Sequence, residues 1–248
     1  MISFDREQRF IVTGASSGIG EGVALLLNEL GATVIGIGRN QERLDAMKAK
    51  AKYPDAVFTE AKDLTEDIEN LPLYVKELKN KYGKFQGMAL CAGIGILASL
   101  QSLDAVLLKK TFDINYFSPL FMTKGFADRR NNNGTGSAVV AISSVGAIVC
   151  EKGQTAYAGA KAALAASLKS VSRELSPQGI RVNCISPSLI DTPMLKTTPN
   201  NDYLTDAQQK YPLGFGKVSD AANLIVFLLS DKAGWITGQN YILDCGTY

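Results

Sequence analysis

Short apolar runs alternate with longer amphipathic runs along the chain, and no other feature of the sequence limits its fold as strongly. The short runs are rich in β-branched residues, and the longer runs repeat apolar residues at helical spacing. The short runs predict strands at residues 9–13, 33–37, 57–59, 87–91, 137–142, 181–185 and 241–244. The longer runs predict helices at residues 19–30, 41–52, 65–82, 103–130, 155–176 and 219–229.

Strands that are joined by helices in this way predict a parallel sheet. The predicted strands are apolar on both faces, and each parallel crossover places a helix over one face of the sheet. No stretch rich in proline, serine or charge divides the 248 residues, so we expect residues 1–248 to form one domain. The predicted fold class is α/β, a single-domain doubly wound Rossmann fold with about seven parallel strands and helices on both faces. Its ligand crevice would lie beyond the carboxyl ends of the strands.

The composition excludes several classes of function. The chain has no histidine, which removes Ser-His-Asp and Cys-His hydrolysis and most zinc sites. Its four cysteines are far apart in sequence, so we expect reduced thiols and no metal. A net charge of +2 is too small to indicate a nucleic acid or a membrane surface as partner. The start has no secretory pattern, and no apolar run is long enough for a membrane span, so we expect a cytoplasmic protein.

A glycine-rich turn directly follows the first predicted strand and opens the first predicted helix. Residues 14–20 read GASSGIG. Glycines allow a tight turn and a close backbone approach, and the free N–H groups at a helix start favour a phosphate. Such a turn alone is weak support for function, but this position is the one that a dinucleotide requires. The predicted phosphate-binding residues are Gly14, Ser16, Ser17, Gly18, Ile19 and Gly20.

The end of the second predicted strand indicates which cofactor the chain binds. An acidic residue there would bond the ribose hydroxyls of NAD(H), but the chain has Arg39 followed by Asn40. A guanidinium offers paired donors to the 2′-phosphate of NADP(H). We therefore predict NADP(H) over NAD(H). The alternative is that Arg39 is only the solvated start of the next helix, and Ser17 stands where many NADP-dependent proteins have a second basic residue.

Tyr157 and Lys161 lie four residues apart in a strongly helical stretch, so both side chains share one helix face. In a chain without histidine, a tyrosine is a plausible acid and base, although its ordinary pKa is about 10. A neighbouring ammonium and a positively charged nicotinamide would both favour the phenolate, so we expect Lys161 and the bound cofactor to lower the pKa of Tyr157. Taken alone, the pair is more often an ordinary aromatic residue and a snorkelling lysine. Ser144 and the glycine turn shift the interpretation to catalysis.

The glycine spacing of residues 14–20, with Ser144, Tyr157 and Lys161, resembles the classical short-chain dehydrogenase/reductase family over almost the entire chain. The resemblance implies hydride transfer between a nicotinamide dinucleotide and a small carbonyl or alcohol substrate. Tyr157 would exchange the proton, Ser144 would donate a hydrogen bond to the substrate oxygen, and Lys161 would also bind the nicotinamide ribose. Ser143 is the other candidate for the serine role, but it fits the family's thirteen-residue interval less well.

Asn115 matches the fourth catalytic position of the family, where the backbone carbonyl holds a water that leads to the lysine. Pro119 lacks an N–H, so in a helix the Asn115 carbonyl loses its usual partner. The ordinary alternative is an asparagine that caps a helix or lies at the surface.

The resemblance also implies cofactor contacts after three later strands. An Asp-Leu pair would bind adenine, and a Cys-Ala-Gly stretch stands where the family has Asn-Ala-Gly, so a bracing amide is missing. A stretch after the sixth strand would hold the nicotinamide carboxamide. The residues involved are Asp63, Leu64, Cys91, Ala92, Gly93, Pro187, Ile190 and Thr192.

Residues 193–215 are predicted to form a lid over the substrate. The lid contains Leu195, Tyr203, Tyr211, Pro212 and Phe215, and a mainly apolar pocket is expected beneath it. The other predicted pocket residues are Ile94, Gly95, Ile96, Val145 and Cys150.

The end of the chain is similar to that of 3-oxoacyl-carrier-protein reductases, but Phe215 and Cys245 replace a usual arginine and glycine. The basic residues that dock the acidic carrier fall near Thr135 and Gln178, which argues against a carrier-protein substrate. The resemblance implies a homotetramer or homodimer built through residues 103–130 and 155–176 and the last strand.

Two other functions remain open. A non-catalytic dinucleotide-binding sensor would keep the glycine turn, but the intact Ser144, Tyr157 and Lys161 argue against it. An epimerase or dehydratase of the extended branch would use the same tyrosine and lysine, but the chain is short for that branch.

Overall fold

The sheet has seven strands, all parallel, in the order β3-β2-β1-β4-β5-β6-β7. The structure is a computed structural model and describes residues 1–196 and 210–248, apart from the side chain of Lys196. The strands are β1 (Arg9–Thr13), β2 (Thr33–Gly38), β3 (Val57–Ala61), β4 (Gly87–Leu90), β5 (Ala138–Ile142), β6 (Arg181–Pro187) and β7 (Asn240–Leu243). The strand order reverses between β1 and β4, and open α/β sheets bind their ligands beyond the carboxyl ends of the strands at such a point. The predicted fold class is confirmed.

Helices cover both faces of the sheet. They are α1 (Gly18–Glu29), α2 (Gln41–Lys50), α3 (Leu71–Tyr82), α4 (Ala105–Phe112), α5 (Ser118–Ala127), α6 (Gly146–Val149), α7 (Thr155–Leu175), α8 (Pro193–Lys196) and α9 (Val218–Leu229). Within the described ranges, no helix is both long and apolar enough to cross a membrane.

Two apolar clusters, one on each face of the sheet, form the core. One cluster packs the strands against α1, α2 and α9, and the other packs them against α3, α5 and α7. Successive residues of a strand point to opposite faces, so Phe10 and Val12 enter the first cluster while Ile11 enters the second. Burial on both faces explains why the strands read as continuous apolar runs.

The single helix predicted for residues 103–130 is wrong in detail. It consists of α4, a π-helix at Asp113–Phe117, and α5. Pro119, at the start of α5, cannot donate the backbone hydrogen bond that a regular α-helix needs. The turn before it is therefore a wider π-helical turn, with hydrogen bonds between residues five apart. The helix predicted from residue 65 also begins later, at Leu71, because Asp67 has a left-handed φ of 55°.

Arg181 fixes the end of α9 to the sheet. Its side chain is buried at the first position of β6, and its Nη1 donates to the carbonyl of Leu228 at 2.6 Å. Its Nη2 donates to the carbonyl of Ser230 at 2.9 Å. Burial lowers the pKa of Arg181, but an arginine still carries its charge near neutral pH. The guanidinium therefore satisfies the carbonyls at the end of α9, and α9 in turn packs beside α1.

Gly125 allows α5 to lie directly against α3. A side-chain carbon at this position would lie 2.8 Å from Cα of Pro72 and 2.9 Å from Cβ of Val75. Gly159 in α7 is a helical glycine with room, because a carbon there would meet Phe112 at an ordinary 3.6 Å.

We expect Gly125→Ala and Gly159→Ala to change stability in opposite directions. At Gly125 the added methyl overpacks the helix crossing and should lower the free energy of unfolding by about 1–3 kcal/mol. At Gly159 alanine only restores helix propensity and should raise it by about 0.5–1 kcal/mol. Urea denaturation of both variants measures these changes, and a shift of the same sign in both would contradict the packing described.

Candidate active site

Thr13 joins the glycine turn to the stretch that follows β4. It is the last residue of β1, and its Oγ1 accepts hydrogen bonds from the backbone N–H of Cys91 at 3.0 Å and of Ala92 at 3.1 Å. A side-chain carbon at Gly14 would lie only 2.9 Å from the backbone nitrogen of Ala92. Sequence analysis missed Thr13, although a threonine at the end of the first strand was the available signal.

The glycine turn leaves the start of α1 open. Gly14 and Gly18 have left-handed φ angles of 69° and 57°, which glycine adopts without strain. Ser17 precedes the helix but makes no side-chain capping hydrogen bond. Because the first-turn N–H groups have no partner within a helix, they can bind an anion. Thr192 lies beside this turn, with its Cγ2 3.3 Å from the place of a Gly18 side chain. These residues fit a dinucleotide pyrophosphate.

Arg39 lies directly after β2, at the carboxyl-terminal edge of the sheet, where the glycine turn also lies. Its side chain is 70% exposed, and its Nη1 is 3.9 Å from Oδ2 of Asp63. Asp63 accepts two hydrogen bonds from Thr65, at 2.9 Å from the backbone and 2.7 Å from the hydroxyl. Burial raises the pKa of Asp63, but these hydrogen bonds, Arg39 and Lys62 together lower it below its ordinary value. The carboxylate is fixed, while the guanidinium extends into solvent beside it.

Lys161 is the buried charge of the site. Its side chain is 4% exposed, and its Nζ donates to the carbonyl of Ile142, the last residue of β5, at 2.7 Å. Gly93 leaves room for it, because a side-chain carbon at that position would lie 3.4 Å from Nζ. Burial lowers the pKa of Lys161 to about 8. The ammonium is therefore still protonated at neutral pH, although it has lost most of its water.

Tyr157 and Ser144 complete this centre. Nζ of Lys161 lies 5.9 Å from the centre of the Tyr157 ring, and the Ser144 Oγ accepts a hydrogen bond from the Gly146 N–H at 3.0 Å. Burial raises the pKa of Tyr157, and hydrogen bonding to Ser144 lowers it by less. In the protein without cofactor, desolvation therefore outweighs this hydrogen bond, and the lowering expected with a bound nicotinamide stays a prediction.

Ser143 has a structural position. Its side chain is buried, and its Oγ donates to the backbone carbonyl of Lys161 at 2.9 Å. It thus packs β5 against α7 and does not face Tyr157 in the way that Ser144 does. Of the two serines, Ser144 is the one next to the phenol.

Asn115 is fully buried in the π-helix, so its interpretation as a surface or capping residue is wrong. Its Nδ2 donates to the carbonyls of Ile94 and Thr111, both at 3.0 Å, and its Oδ1 accepts from the Ile94 N–H at 3.2 Å. The side chain therefore fixes the backbone of Ile94, in the loop that follows Gly93. The sequence suggested only a role for the Asn115 carbonyl, through Pro119.

The stretch after β6 returns to the glycine turn. Pro187 ends β6, and its carbonyl accepts from the N–H of Val145 at 3.1 Å. Ile190 is buried, and a backbone bridge ties it to Gly216. Leu64, on the other side of the crevice, has its side chain in the core, so only its backbone can face a cofactor.

The predicted lid is described only at its ends. Residues 197–209, including Tyr203, lie outside the described residues. At the near end, Met194 in α8 approaches Gly95, with its Sδ 3.3 Å from the place of a side-chain carbon. At the far end, the buried Tyr211 hydroxyl makes a hydrogen bond to the Ser188 hydroxyl. Of the other predicted pocket residues, Val145 is buried and Cys150 is exposed.

Comparison with known proteins gives the same result at the level of the family. The profile of the enoyl-(acyl-carrier-protein) reductase family matches residues 14–248. The chain is 35% identical over 246 residues to the 3-oxoacyl-(acyl-carrier-protein) reductase of Thermotoga maritima, covering 95% of this chain and 96% of the relative.

Solved structures agree. A short-chain dehydrogenase/reductase described as a glucose/ribitol dehydrogenase, from Brucella melitensis, superposes with a TM-score of 0.92 at 26% identity, covering 100% of this chain and 99% of the other. A short-chain dehydrogenase from Burkholderia cenocepacia in complex with NADP superposes with a TM-score of 0.87 at 28% identity, covering 98% of each chain. The resemblance inferred from sequence is confirmed, and this chain belongs to the short-chain dehydrogenase/reductase family of oxidoreductases.

Proposed function

We propose that this chain moves a hydride between NADP(H) and a ketone or secondary alcohol, with Ser144, Tyr157 and Lys161 as its acid/base centre. The observation that carries the proposal is the meeting of Ser144, Tyr157 and a buried Lys161 at the end of β5, beside Gly93. A sensor that only binds a dinucleotide has no need to bury a lysine ammonium next to a tyrosine.

The cofactor would extend across the crevice from Arg39 to Lys161. Glycines of the turn and the open start of α1 suit its pyrophosphate, and Asp63 with the Leu64 backbone suits its adenine. When bound, the nicotinamide supplies or accepts the hydride. The residues proposed to hold the cofactor are Gly14, Ser16, Ser17, Gly18, Ile19, Gly20, Arg39, Asp63, Leu64, Cys91, Ala92, Gly93, Tyr157, Lys161, Pro187, Ile190 and Thr192.

Ser144 and Tyr157 act on the substrate oxygen. In the direction of reduction, the Ser144 hydroxyl donates a hydrogen bond to the carbonyl oxygen, where negative charge develops. Tyr157 gives its phenolic proton to that oxygen, which yields the alcohol. In the direction of oxidation, the Tyr157 phenolate takes the proton back.

Lys161 makes this proton transfer feasible. Burial raises the pKa of Tyr157, so the proton leaves the phenol only if a positive charge stabilises the phenolate. The ammonium lies 5.9 Å from the ring and supplies that charge while it stays protonated. Asn115 has a carbonyl that cannot receive a bond from Pro119, and we propose that it holds a water that resupplies the proton.

The preference for NADP(H) rests on charge. Arg39 is exposed and directly follows β2, and its pairing with Asp63 at 3.9 Å is loose enough for a 2′-phosphate to replace. NAD(H) would leave this guanidinium without a phosphate.

The proposed substrate is not the carrier-bound acyl chain that the name of the Thermotoga relative implies. Phe215 stands where such reductases usually have arginine, and Thr135 and Gln178 stand where they dock the acidic carrier. We therefore propose a small carbonyl or alcohol rather than a carrier-bound acyl chain.

We also propose a cytoplasmic homotetramer or homodimer. The apolar side chains of Val106, Phe117, Trp235 and Ile242 are exposed, which supports an interface with another copy of the chain.

Tyr157→Phe is expected to lower kcat for ketone reduction by about 10²–10⁴-fold, because it removes the proton donor but keeps the ring. Binding of NADPH, followed by fluorescence titration, should change little. Tyr116→Phe is the matched control, since its hydroxyl bonds to Ser167 away from the centre. Full activity of Tyr157→Phe would contradict the mechanism.

Arg39→Ala is expected to weaken NADPH binding by about ten- to hundredfold, the worth of a charge-assisted phosphate contact. Binding of NADH should change less than about threefold, because no phosphate contact is lost. Arg43→Ala, an exposed arginine one helical turn further on, serves as control. If wild-type protein binds NADH as tightly as NADPH, the cofactor proposal fails.

A further inference from the structure

The side-chain oxygen of Gln154 is buried, and no donor in the described part of the chain bonds to it. Gln154 directly precedes α7 and lies three residues before Tyr157. The residue as a whole is partly exposed, although its side-chain oxygen is buried. A buried acceptor without a donor destabilises a protein by about 1–3 kcal/mol, so such a group calls for an explanation, and a donor on a bound ligand is one.

The position of this oxygen relates it to Ser144. A side-chain carbon at Gly146 would lie 2.6 Å from Oε1 of Gln154 and 3.3 Å from Oγ of Ser144. The two oxygens are therefore no more than about 6 Å apart, which is the span of two hydrogen bonds made to neighbouring atoms of one small molecule. A side chain at Gly146 would collide with Oε1, so glycine at this position leaves room for the Gln154 amide.

Segments close to these two residues in the chain or in the fold carry exposed apolar side chains. Ile148 lies on α6, which begins two residues after Ser144, and is exposed, as are Leu97 and Met194. The backbone of Ala98 bonds to the Gly153 carbonyl at 2.9 Å, which brings the Leu97 loop beside Gln154. A substrate here would bury an apolar skeleton and present its polar atoms to Ser144 and Gln154.

We propose that Gln154 is a specificity-determining residue, and that the substrates are apolar ketones with a hydroxyl group on the carbon next to the carbonyl. This inference rests on the proposed function. The carbonyl oxygen accepts from Ser144 and Tyr157, and the neighbouring hydroxyl donates to Oε1 of Gln154. The hydroxyl is not consumed: the carbonyl carbon gains a hydride, its oxygen gains a proton, and the product is a vicinal diol. An ether or hydrogen in place of the hydroxyl leaves Oε1 without a donor.

The test compares two ketones of similar size, 2-hydroxyacetophenone and 2-methoxyacetophenone, with NADPH as reductant. Wild-type protein is expected to show a kcat/KM at least about tenfold higher for the hydroxyl compound, because only this compound satisfies the buried acceptor. In Gln154→Met, which keeps the length of the side chain, the ratio should fall to within about threefold of one. Gln178→Met, at a partly exposed glutamine that accepts from Arg129 and lies just before β6, at the opposite edge of the sheet, should keep the wild-type ratio.

Thermal unfolding supplies a second readout that separates substrate recognition from a structural role. Because Oε1 lacks a donor, Gln154→Met is expected to keep or raise the midpoint of unfolding. A fall of several degrees would show that the amide is part of the internal packing and would overturn the inference.

The outcomes distinguish this inference from the function on which it rests. Equal rates with the two ketones, or a ratio that Gln154→Met leaves unchanged, overturn the role of Gln154 and leave the proposed function standing. The same holds if other ketones are reduced but neither of these two is. Failure to reduce any ketone of a broad panel with NADPH or NADH overturns both.

Discussion

The buried ammonium of Lys161 is the interaction on which the rest of the site depends. Placing a lysine where 4% of its side chain meets solvent is unfavourable, and burial lowers its pKa to about 8. The carbonyl of Ile142 holds the ammonium, and Gly93 makes room for it. Helix α7 places Tyr157 one turn before Lys161, so the charge that the fold buries at a cost in stability faces the group that must release a proton.

Irregular backbone positions the groups around this charge. The π-helix before Pro119 turns Asn115 inward, and its amide holds Ile94 through two hydrogen bonds. The hydroxyl of Thr13 binds the chain that follows β4 and joins it to the glycine turn. Each device lies at the carboxyl ends of central strands, where side chains from distant parts of the chain meet.

Much of this arrangement was predictable from sequence, because strand and helix periods and the spacing of Gly14, Tyr157 and Lys161 are local patterns. The parallel sheet with helices on both faces, the family and the catalytic candidates followed from them. What was missed depends on tertiary environment. The direction of the pKa shift of Tyr157 needs the extent of its burial, and the unsatisfied oxygen of Gln154 is visible only once its neighbours are placed. The π-helix was predictable only in part. Pro119 in the sequence predicted a lost backbone hydrogen bond, but it did not predict that the helix would widen into a π-turn.

The most direct test of this account is the dependence of kcat/KM for ketone reduction on pH, measured with NADPH between about pH 6 and 10. Lys161 carries its charge below its pKa of about 8 and loses it as the pH rises through that value. The account predicts a constant rate at neutral pH and a fall that approaches tenfold per pH unit above about 8.5. A rate that stays unchanged up to about pH 9.5 would contradict the role of the buried ammonium.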